Sequence, residues 1–92
     1  MTCYTIRFIE KPIKKKGSLT FDSDEREIND IDDENEVRQA IAESFILAVN
    51  VLNNGMRGVD LSISDYTNKC IWSGEGLIEE DKLKICKLKN EK

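Results

Sequence analysis

The chain has 92 residues, of which 39% are hydrophobic and 35% are charged, and its net charge is −4. This length and composition predict one globular domain, residues 1–92, rather than a disordered tail. The negative charge argues against a general nucleic-acid binder that relies on an overall positive charge. No apolar run approaches the roughly 20 residues of a membrane span, and the N-terminal residues lack a signal region, so we expect a cytoplasmic protein.

The cysteines exclude the common metal and redox arrangements. Cys3, Cys70 and Cys86 are odd in number, have no C-x-x-C spacing and occur in a chain without histidine. A structural zinc site needs four ligands, usually Cys and His, and one disulfide leaves a thiol over. We therefore expect three free, mostly buried cysteines, with no metal and no cofactor.

The first elements are two strands joined by a lysine-rich loop. Residues Cys3–Glu10 alternate, with Tyr4, Ile6 and Phe8 on one face, which is typical of a half-buried strand. Pro12 and Gly17 indicate a loop, after which the alternation resumes over residues 18–23. The pattern predicts a hairpin that carries Lys14, Lys15 and Lys16 at its tip.

An acidic segment follows, spanning Asp22 to Glu36. It holds nine acidic residues against the single Arg26, half of all the acids in the chain. Ile28 and Ile31 are its only large apolar residues, so we expect an irregular connection or a short turn that leads into a helix.

One long helix, from Asp33 to Gly55, organises the chain. Asp33 is placed to cap its start with Glu36 completing a capping box, and the sequence around Gly55 provides a left-handed stop. At about 1.5 Å per residue the helix is roughly 30 Å long. Its predicted core stripe is Val37, Ile41, Phe45, Ala48 and Leu52, flanked by Ala40, Ser44, Leu47 and Val51. Ile46 points almost opposite this stripe.

Two further strands follow the helix. Val59, Leu61 and Ile63 alternate with polar residues, and the chain turns at residues 66–69 before a returning strand at 70–73. A two-residue loop at Thr67 and Asn68 would place Ile63 opposite Trp72. Glycines at positions 74 and 76 indicate a bulge or a bend.

The last segment, residues 82–89, alternates lysine with apolar residues and has one slip at Cys86. We interpret it as a lysine-bearing edge strand, with a terminal helix as the alternative. The predicted order is ββ-α-ββ-β. The fold class is α+β, an antiparallel sheet of four to five strands packed on one long helix.

Catalytic chemistry is poorly supported, and we do not expect an enzyme. No histidine is present to act as a base for serine or cysteine, and no G-x-S-x-G turn occurs. The nearest glycine-rich sequence, Gly74-Glu75-Gly76, is acidic and lacks the third glycine of a phosphate-binding loop. The acidic pairs in the segment 22–36 lack the glycine and the closing glutamate of a calcium loop.

Three features fit binding to a partner, each with an ordinary alternative. Lys14, Lys15 and Lys16, with Lys11 nearby, would contact phosphate, although such a cluster is often only a soluble loop. The acids of the segment, among them Asp30, Asp32, Asp33 and Glu34, would dock on a basic protein groove, although an acidic run is usually a solvated face. Ile46 would contact a partner, although one exposed aliphatic residue is common.

Three stretches carry a resemblance that covers essentially the whole chain: CYTIRFIEKPIKKKG, AIAESFILAVNVLNNG and DLSISDYTNKCIWSG. Together with the length and acidity, they resemble a small phage anti-CRISPR protein, of the eighth-numbered family among inhibitors of type I-F CRISPR systems. No diagnostic motif underlies the likeness, and no binding residue is carried over from that family.

The resemblance implies a non-enzymatic inhibitor that acts in the cytoplasm of the infected bacterial host. Its target would be the protein subunits that line the guide in the RNA-guided surveillance complex, where it would prevent target DNA from pairing with the guide RNA. From the charges we expect the lysine cluster to touch guide-RNA phosphates and the acids to meet basic side chains. We expect the free protein to be a monomer.

An alternative from another class is a phage regulator or antitoxin that dimerises through its helix at Ile46. A small hydrolase is a distant third possibility, for which the sequence offers no catalytic residues.

Overall fold

A computed structural model describes residues 2–10, 20–52, 58–80 and 82–92, without the side chains of residues 50–52. Its elements are β1 (Thr2–Glu10), β2 (Thr20–Asp22), β3 (Arg26–Ile28), α1 (Glu34–Leu52), β4 (Gly58–Ser64), β5 (Cys70–Glu79) and β6 (Lys82–Asn90). The fold is α+β, with one helix and a six-stranded antiparallel sheet in this part of the chain, which confirms the predicted class. The sheet has one strand more than expected.

The sheet runs in the order β2-β1-β4-β5-β6, and β3 also pairs with β1. Ile6 lies opposite Ile63, and Ile63 lies opposite Trp72, so consecutive strands present their apolar residues on the same face. Helix α1 lies on the β1, β2 and β3 side of that face. The core between these two layers explains the alternation of β1 and β4.

The predicted helix stripe is largely confirmed. Val37, Ile41, Phe45 and Ala48 are buried, as are the flanking Ala40 and Ser44. The ring centroids of Phe45 and Phe8 lie 5.7 Å apart in an edge-on arrangement. The side chains of Leu52 and Val51, and the predicted stop at residues 53–55, lie outside the described residues. The prediction that Leu47 flanks the stripe is wrong, because Leu47 is exposed.

The acidic segment contains a strand that the prediction of an irregular connection missed. Arg7 pairs with Asp22 and Tyr4 pairs with Arg26, so β2 and β3 both lie along β1 and form one edge of the sheet. Between these pairs the edge has one residue more than β1, as in a bulge. Ser23 bridges this interruption. Its backbone N–H donates to the Ile6 carbonyl at 2.9 Å, and its hydroxyl accepts the Ile6 N–H at 3.0 Å. Ile28 and Ile31 are buried, as expected.

The β4–β5 hairpin has the predicted pairing of Ile63 with Trp72 but not the predicted loop. The N–H of Asp65 donates to the Lys69 carbonyl at 3.0 Å, which leaves a three-residue loop with Asn68 at a φ of 66°. A bulge between Ile63 and Ser64 then shifts the register by one residue. The two departures compensate each other, so the cross-strand pair is correct although the two-residue loop is wrong.

The C-terminal segment is the edge strand β6, which excludes the helical alternative. The register between β5 and β6 shifts at Gly76, where Cys86 has no partner on β5. This bulge explains the slip in the lysine alternation and confirms the irregularity expected from the glycines. Gly74 is also required sterically, because a Cβ there would lie 2.2 Å from the Lys87 carbonyl oxygen.

The cysteines are free, as expected, but they are not mostly buried. Cys70 and Cys86 are exposed, and Cys3 is half-buried. Neither Cys70 nor Cys86 occupies a core-facing position of the sheet. Cys86 is the extra residue of the bulge. Within the described residues, no helix is long and apolar enough to cross a membrane.

Candidate partner-binding surfaces

The predicted acids of the helix approach are held in place by backbone hydrogen bonds. Asp33 caps α1, since its Oδ1 accepts the Asn35 N–H at 3.0 Å and its carbonyl accepts the Val37 N–H at 3.0 Å. Asp30 closes the preceding turn, where its Oδ1 accepts the Asp32 N–H and its carbonyl accepts the Asp33 N–H, both at 3.0 Å. The cap is therefore confirmed, and both carboxylates remain exposed.

Glu36 does not complete the predicted capping box. Its carboxylate accepts the backbone N–H of Asn29 at 2.6 Å and that of Asp30 at 3.0 Å, rather than the N–H of Asp33. The N–H of Asp33 is already bonded to the Asp30 carbonyl, which leaves Glu36 to satisfy donors further upstream. Glu36 thus ties the acidic segment to the first turn of the helix.

The same segment is pinned to the sheet by Trp72. The indole Nε1–H donates to the Ile31 carbonyl at 2.7 Å, and both residues are buried. A buried indole N–H needs an acceptor, and the Ile31 carbonyl supplies it from the turn that precedes α1. This contact fixes the position of the neighbouring carboxylates relative to the sheet.

Asp32 and Glu34 are exposed but have partners of their own. Asp32 Oδ1 lies 3.3 Å from Lys92 Nζ and 3.4 Å from Asn90 Nδ2, so the C-terminal residues lie against the acidic segment. Glu34 pairs with Arg38 one turn along the helix at 2.9 Å. Exposed ion pairs of this kind contribute about 0–1 kcal/mol, so an external cation can replace them at small cost.

Carboxylates also line the β2–β3 edge. Asp24, Glu25 and Glu27 are exposed, while Arg26 between them turns to the helix and pairs with Glu43. The pairing with Arg26 lowers the pKa of Glu43, helped by a hydrogen bond from Gln39. The sequence prediction did not single out the three edge acids, because their edge position depends on the pairing of β3 with β1.

A bidentate ion pair anchors the other end of this edge. Arg7 donates to both carboxylate oxygens of Asp22, at 2.7 and 3.1 Å. The hydrogen bond from Arg7 lowers the pKa of Asp22, and the same contact raises the pKa of Arg7. Asp22 is therefore held by an ion pair within the sheet, unlike Asp24, Glu25 and Glu27.

The predicted lysine cluster, Lys11, Lys14, Lys15 and Lys16, lies outside the described residues. In the part of the chain that is described, a different cationic row stands out on β6: Lys82, Lys84, Lys87 and Lys89. All four are exposed and lie on the sheet face away from the helix, in register with Glu79, Leu77, Glu75 and Ser73 of β5. This row therefore lies at the edge of the sheet opposite the edge that carries Asp24, Glu25 and Glu27.

Ile46 is exposed, as predicted, and it has an apolar neighbour. The exposed fractions of Ile46 and Leu47 are 67% and 65%. The sequence assigned Leu47 to the core flank because it follows Ala40 and Ser44 at helical spacing. The sheet covers a narrower arc of α1 than that assignment assumed, so two adjacent aliphatic side chains face outward.

Two observations concern groups that catalysis or metal binding would use. They contain no group of three or more Cys, Asp or Glu side chains that could hold a metal ion. Partial desolvation of the Cys70 thiol and the nearby Glu91 carboxylate raise its pKa although the residue is largely exposed, and the thiol lies 3.3 Å from the Trp72 carbonyl, placed to donate to it. Both effects favour the thiol over the nucleophilic thiolate.

Comparison with known proteins yields no match: no protein-family model, no curated protein and no solved structure matches the chain. A functional conclusion therefore depends on the surfaces described above and on the resemblance of the sequence.

Proposed function

We propose that this chain is an anti-CRISPR protein that binds the type I-F RNA-guided surveillance complex and blocks target DNA from hybridising to the guide RNA. It acts in the cytoplasm of the infected bacterial host, without catalysis or a cofactor. The proposal is supported by the resemblance of residues 3–17, 40–55 and 60–74 to a phage inhibitor family. The rigid, exposed carboxylates before the helix support it independently.

The fixed positions of these carboxylates are the physical support for the proposal. Asp30 and Asp33 are fixed by backbone donors, and the adjoining turn is fixed by Trp72. A surface that is already ordered before binding loses less conformational entropy when a partner arrives. Fixed negative charges are suited to a groove that normally holds nucleic-acid phosphates.

RNA-guided complexes hold their heteroduplex in a positively charged channel, and recognition starts from a short seed. In the proposed mode, Asp30, Asp32, Asp33 and Glu34 contact basic protein side chains of that channel. Lys11, Lys14, Lys15 and Lys16 contact guide-RNA phosphates, and Ile46 contacts a protein subunit. The bound inhibitor then occupies the space that target DNA needs, and recruitment of the nuclease does not follow.

The direct test is co-purification with a type I-F surveillance complex, followed by a target-DNA binding assay. We expect a stable association that prevents DNA binding. Failure to associate would refute the proposal. Association that leaves DNA binding intact would move the mechanism to blockade of the nuclease.

Paired neutralisations test the acidic surface. Asp32→Asn with Glu34→Gln removes two exposed carboxylates and leaves the helix cap intact. The control, Glu79→Gln with Glu80→Gln, makes the same charge change in the β5–β6 turn. We expect the first pair to weaken binding about fivefold or more, largely through slower association at low salt. Equal binding by both pairs would exclude the acids.

The lysine cluster is tested separately by changing Lys14, Lys15 and Lys16 to Glu. Inhibition should weaken while the circular dichroism spectrum and thermal midpoint stay unchanged. Full inhibition by this variant would remove the lysines from the binding surface.

A second candidate function is a regulator or antitoxin that dimerises through the helix. The adjacent exposed Ile46 and Leu47 favour it specifically, since burying these two aliphatic side chains would contribute about 3–6 kcal/mol per subunit at most. Light scattering separates the candidates. An obligate dimer that becomes monomeric on Ile46→Asp supports the regulator, whereas a monomeric wild-type chain supports the inhibitor.

A further inference from the structure

The outer side of β6 is a long strand edge. β6 is the last strand in the sheet order and pairs with β5 on one side only. Its nine residues span about 30 Å at roughly 3.3 Å per residue. In the described part of the chain, no strand pairs with the outer side, so its backbone groups stay open to another chain.

The bulge divides this edge into two regular stretches, Lys82–Ile85 and Lys87–Asn90. In each stretch, two lysines point to the open face, and the residues between them point to the core face. None of the four lysines has a side-chain hydrogen bond or ion pair with another described residue. Lys84 lies across from Leu77 and Lys89 across from Ser73, so these two have no acidic residue directly opposite.

The core face of β6 offers an apolar row beside the lysines. Leu83, Ile85 and Leu88 pack against the core but are only partly buried. The helix lies toward the opposite end of the sheet, over β1, β2 and β3. A strand added outside β6 would therefore cover apolar side chains on one face while its other face meets lysines.

We propose that the outer edge of β6 binds an extended acidic peptide segment of another protein as an additional strand. The segment alternates acidic residues, opposite the lysines, with apolar residues that extend the row of Leu83, Ile85 and Leu88. Backbone hydrogen bonds supply affinity, and the alternating side chains supply selectivity, as in other cases of strand addition. This surface adjoins the acidic surface proposed above at Asn90, whose side-chain amide lies 3.4 Å from Asp32 Oδ1, but its test does not depend on that function.

Charge excludes a second copy of this chain as the occupant. Antiparallel pairing of two β6 strands would put lysines against lysines on the open face, which is destabilising. The same lysines that prevent self-association thus favour an acidic strand. An edge that was uncharged would discriminate less between these partners.

Charge also favours a peptide over a nucleic acid. Lys82 and Lys87 lie across from Glu79 and Glu75, so the open face beside the row carries both signs of charge. A phosphate backbone lying on this face would meet those carboxylates, whereas an added strand lies outside β6, beyond them. The peptide additionally uses the open backbone groups and the apolar row, which phosphates do not use.

The test uses the full chain labelled with ¹⁵N and a nine-residue capped peptide that alternates Glu and Val. We expect amide shifts concentrated in β6 and slower hydrogen exchange of its outward amides. A peptide that alternates Lys and Val should leave the spectrum unchanged. A peptide of the same composition, with its glutamates and valines in separate blocks, should bind about tenfold more weakly, because it cannot place both side-chain rows.

Matched variants assign the contact to the lysines. Lys84→Gln with Lys89→Gln should weaken binding of the alternating peptide by about threefold to tenfold. The control, Lys69→Gln with Lys92→Gln, removes the same charge elsewhere and should bind normally. Lys84→Arg with Lys89→Arg should retain binding, which would show that the loss in the glutamine variant comes from the missing charge.

Three results would overturn the proposal: shifts outside β6, equal binding of the blocked and alternating peptides, or equal binding by the two glutamine pairs. A single-stranded RNA oligonucleotide is titrated in parallel. If the RNA alone produces the β6 shifts, the partner is a phosphate backbone and the peptide proposal is wrong.

Discussion

The hydrogen bond from Trp72 to Ile31 should control the order of the acidic segment. Trp72→Phe removes the 2.7 Å hydrogen bond and leaves a buried carbonyl without its donor. Loss of the partner costs about 1–3 kcal/mol, and the smaller ring loses roughly 1 kcal/mol of burial. The free energy of unfolding should therefore fall by about 2–4 kcal/mol, and the thermal midpoint by about 10 °C or more.

The two contributions can be separated by replacing the Trp72 indole with a benzothiophene ring, which keeps the shape but has sulfur in place of the N–H. We expect a loss of about 1–2 kcal/mol in urea unfolding from this change alone. Hydrogen exchange of residues 29–33 should accelerate more than that of β4, since the lost contact is local. Tyr66→Phe on the exposed hairpin loop serves as a control.

A loss of less than about 0.5 kcal/mol in the benzothiophene variant would contradict this prediction, because the hydrogen bond would then contribute nothing measurable. Equal acceleration of exchange in β4 and in residues 29–33 would contradict the local effect of the contact.

Three further predictions concern stability. Asp33→Ala should lower the free energy of unfolding by about 1 kcal/mol in urea, and Asp33→Ser should lower it far less, because serine also caps helices. Gly74→Ala should cost about 2–3 kcal/mol and weaken exchange protection in β6, since its Cβ would overlap the Lys87 carbonyl. Asp22 has a lowered pKa in the folded state, so its pairing with Arg7 stabilises the fold above the ordinary carboxyl pKa and this stabilisation is lost as the pH falls. Asp22→Asn should make the fall in the free energy of unfolding below about pH 5 shallower, and with it the fall in the thermal midpoint. The difference should be under about 1 kcal/mol, because both side chains are half-exposed.

Each of these has a result that would contradict it. Equal stability of the alanine and serine variants at Asp33 would mean that the cap is not needed. A Gly74→Ala variant as stable as wild type would show that β6 can move away from β5 at no cost. An unchanged pH profile for Asp22→Asn would mean that the ion pair is equally formed in the unfolded chain.

The elements with strong periodicity could be predicted from the sequence. Strand β4 alternates strictly, and the helix stripe from Val37 to Ala48 repeats at helical spacing, so burial follows directly from local order. The lysine alternation of β6 identified it as a strand at an edge, and its slip at Cys86 is the observed bulge. The predicted exposure of Ile46 is also confirmed.

The candidate surfaces were less predictable, since they depend on distant contacts. Glu36 was expected to bond Asp33, but the turn had already satisfied that N–H. The assignment of Leu47 to the core flank was wrong because helical spacing gives the direction of a side chain but not how wide a part of the helix the sheet covers. The cationic row of β6 was visible as an alternation, but its position opposite the acidic edge was not.

The sequence by itself determined the kind of every described element except β3, because hydrophobic period and capping residues act over a few neighbouring positions. It also determined the separation of acidic and basic charges along the chain. Only the tertiary structure decided that the acidic segment contains β3 and that Trp72 holds this segment through Ile31. It also decided that the lysine row of β6 lies at the sheet edge opposite Asp24, Glu25 and Glu27. Those outcomes depend on pairings between residues far apart in sequence, whose register no local pattern specifies.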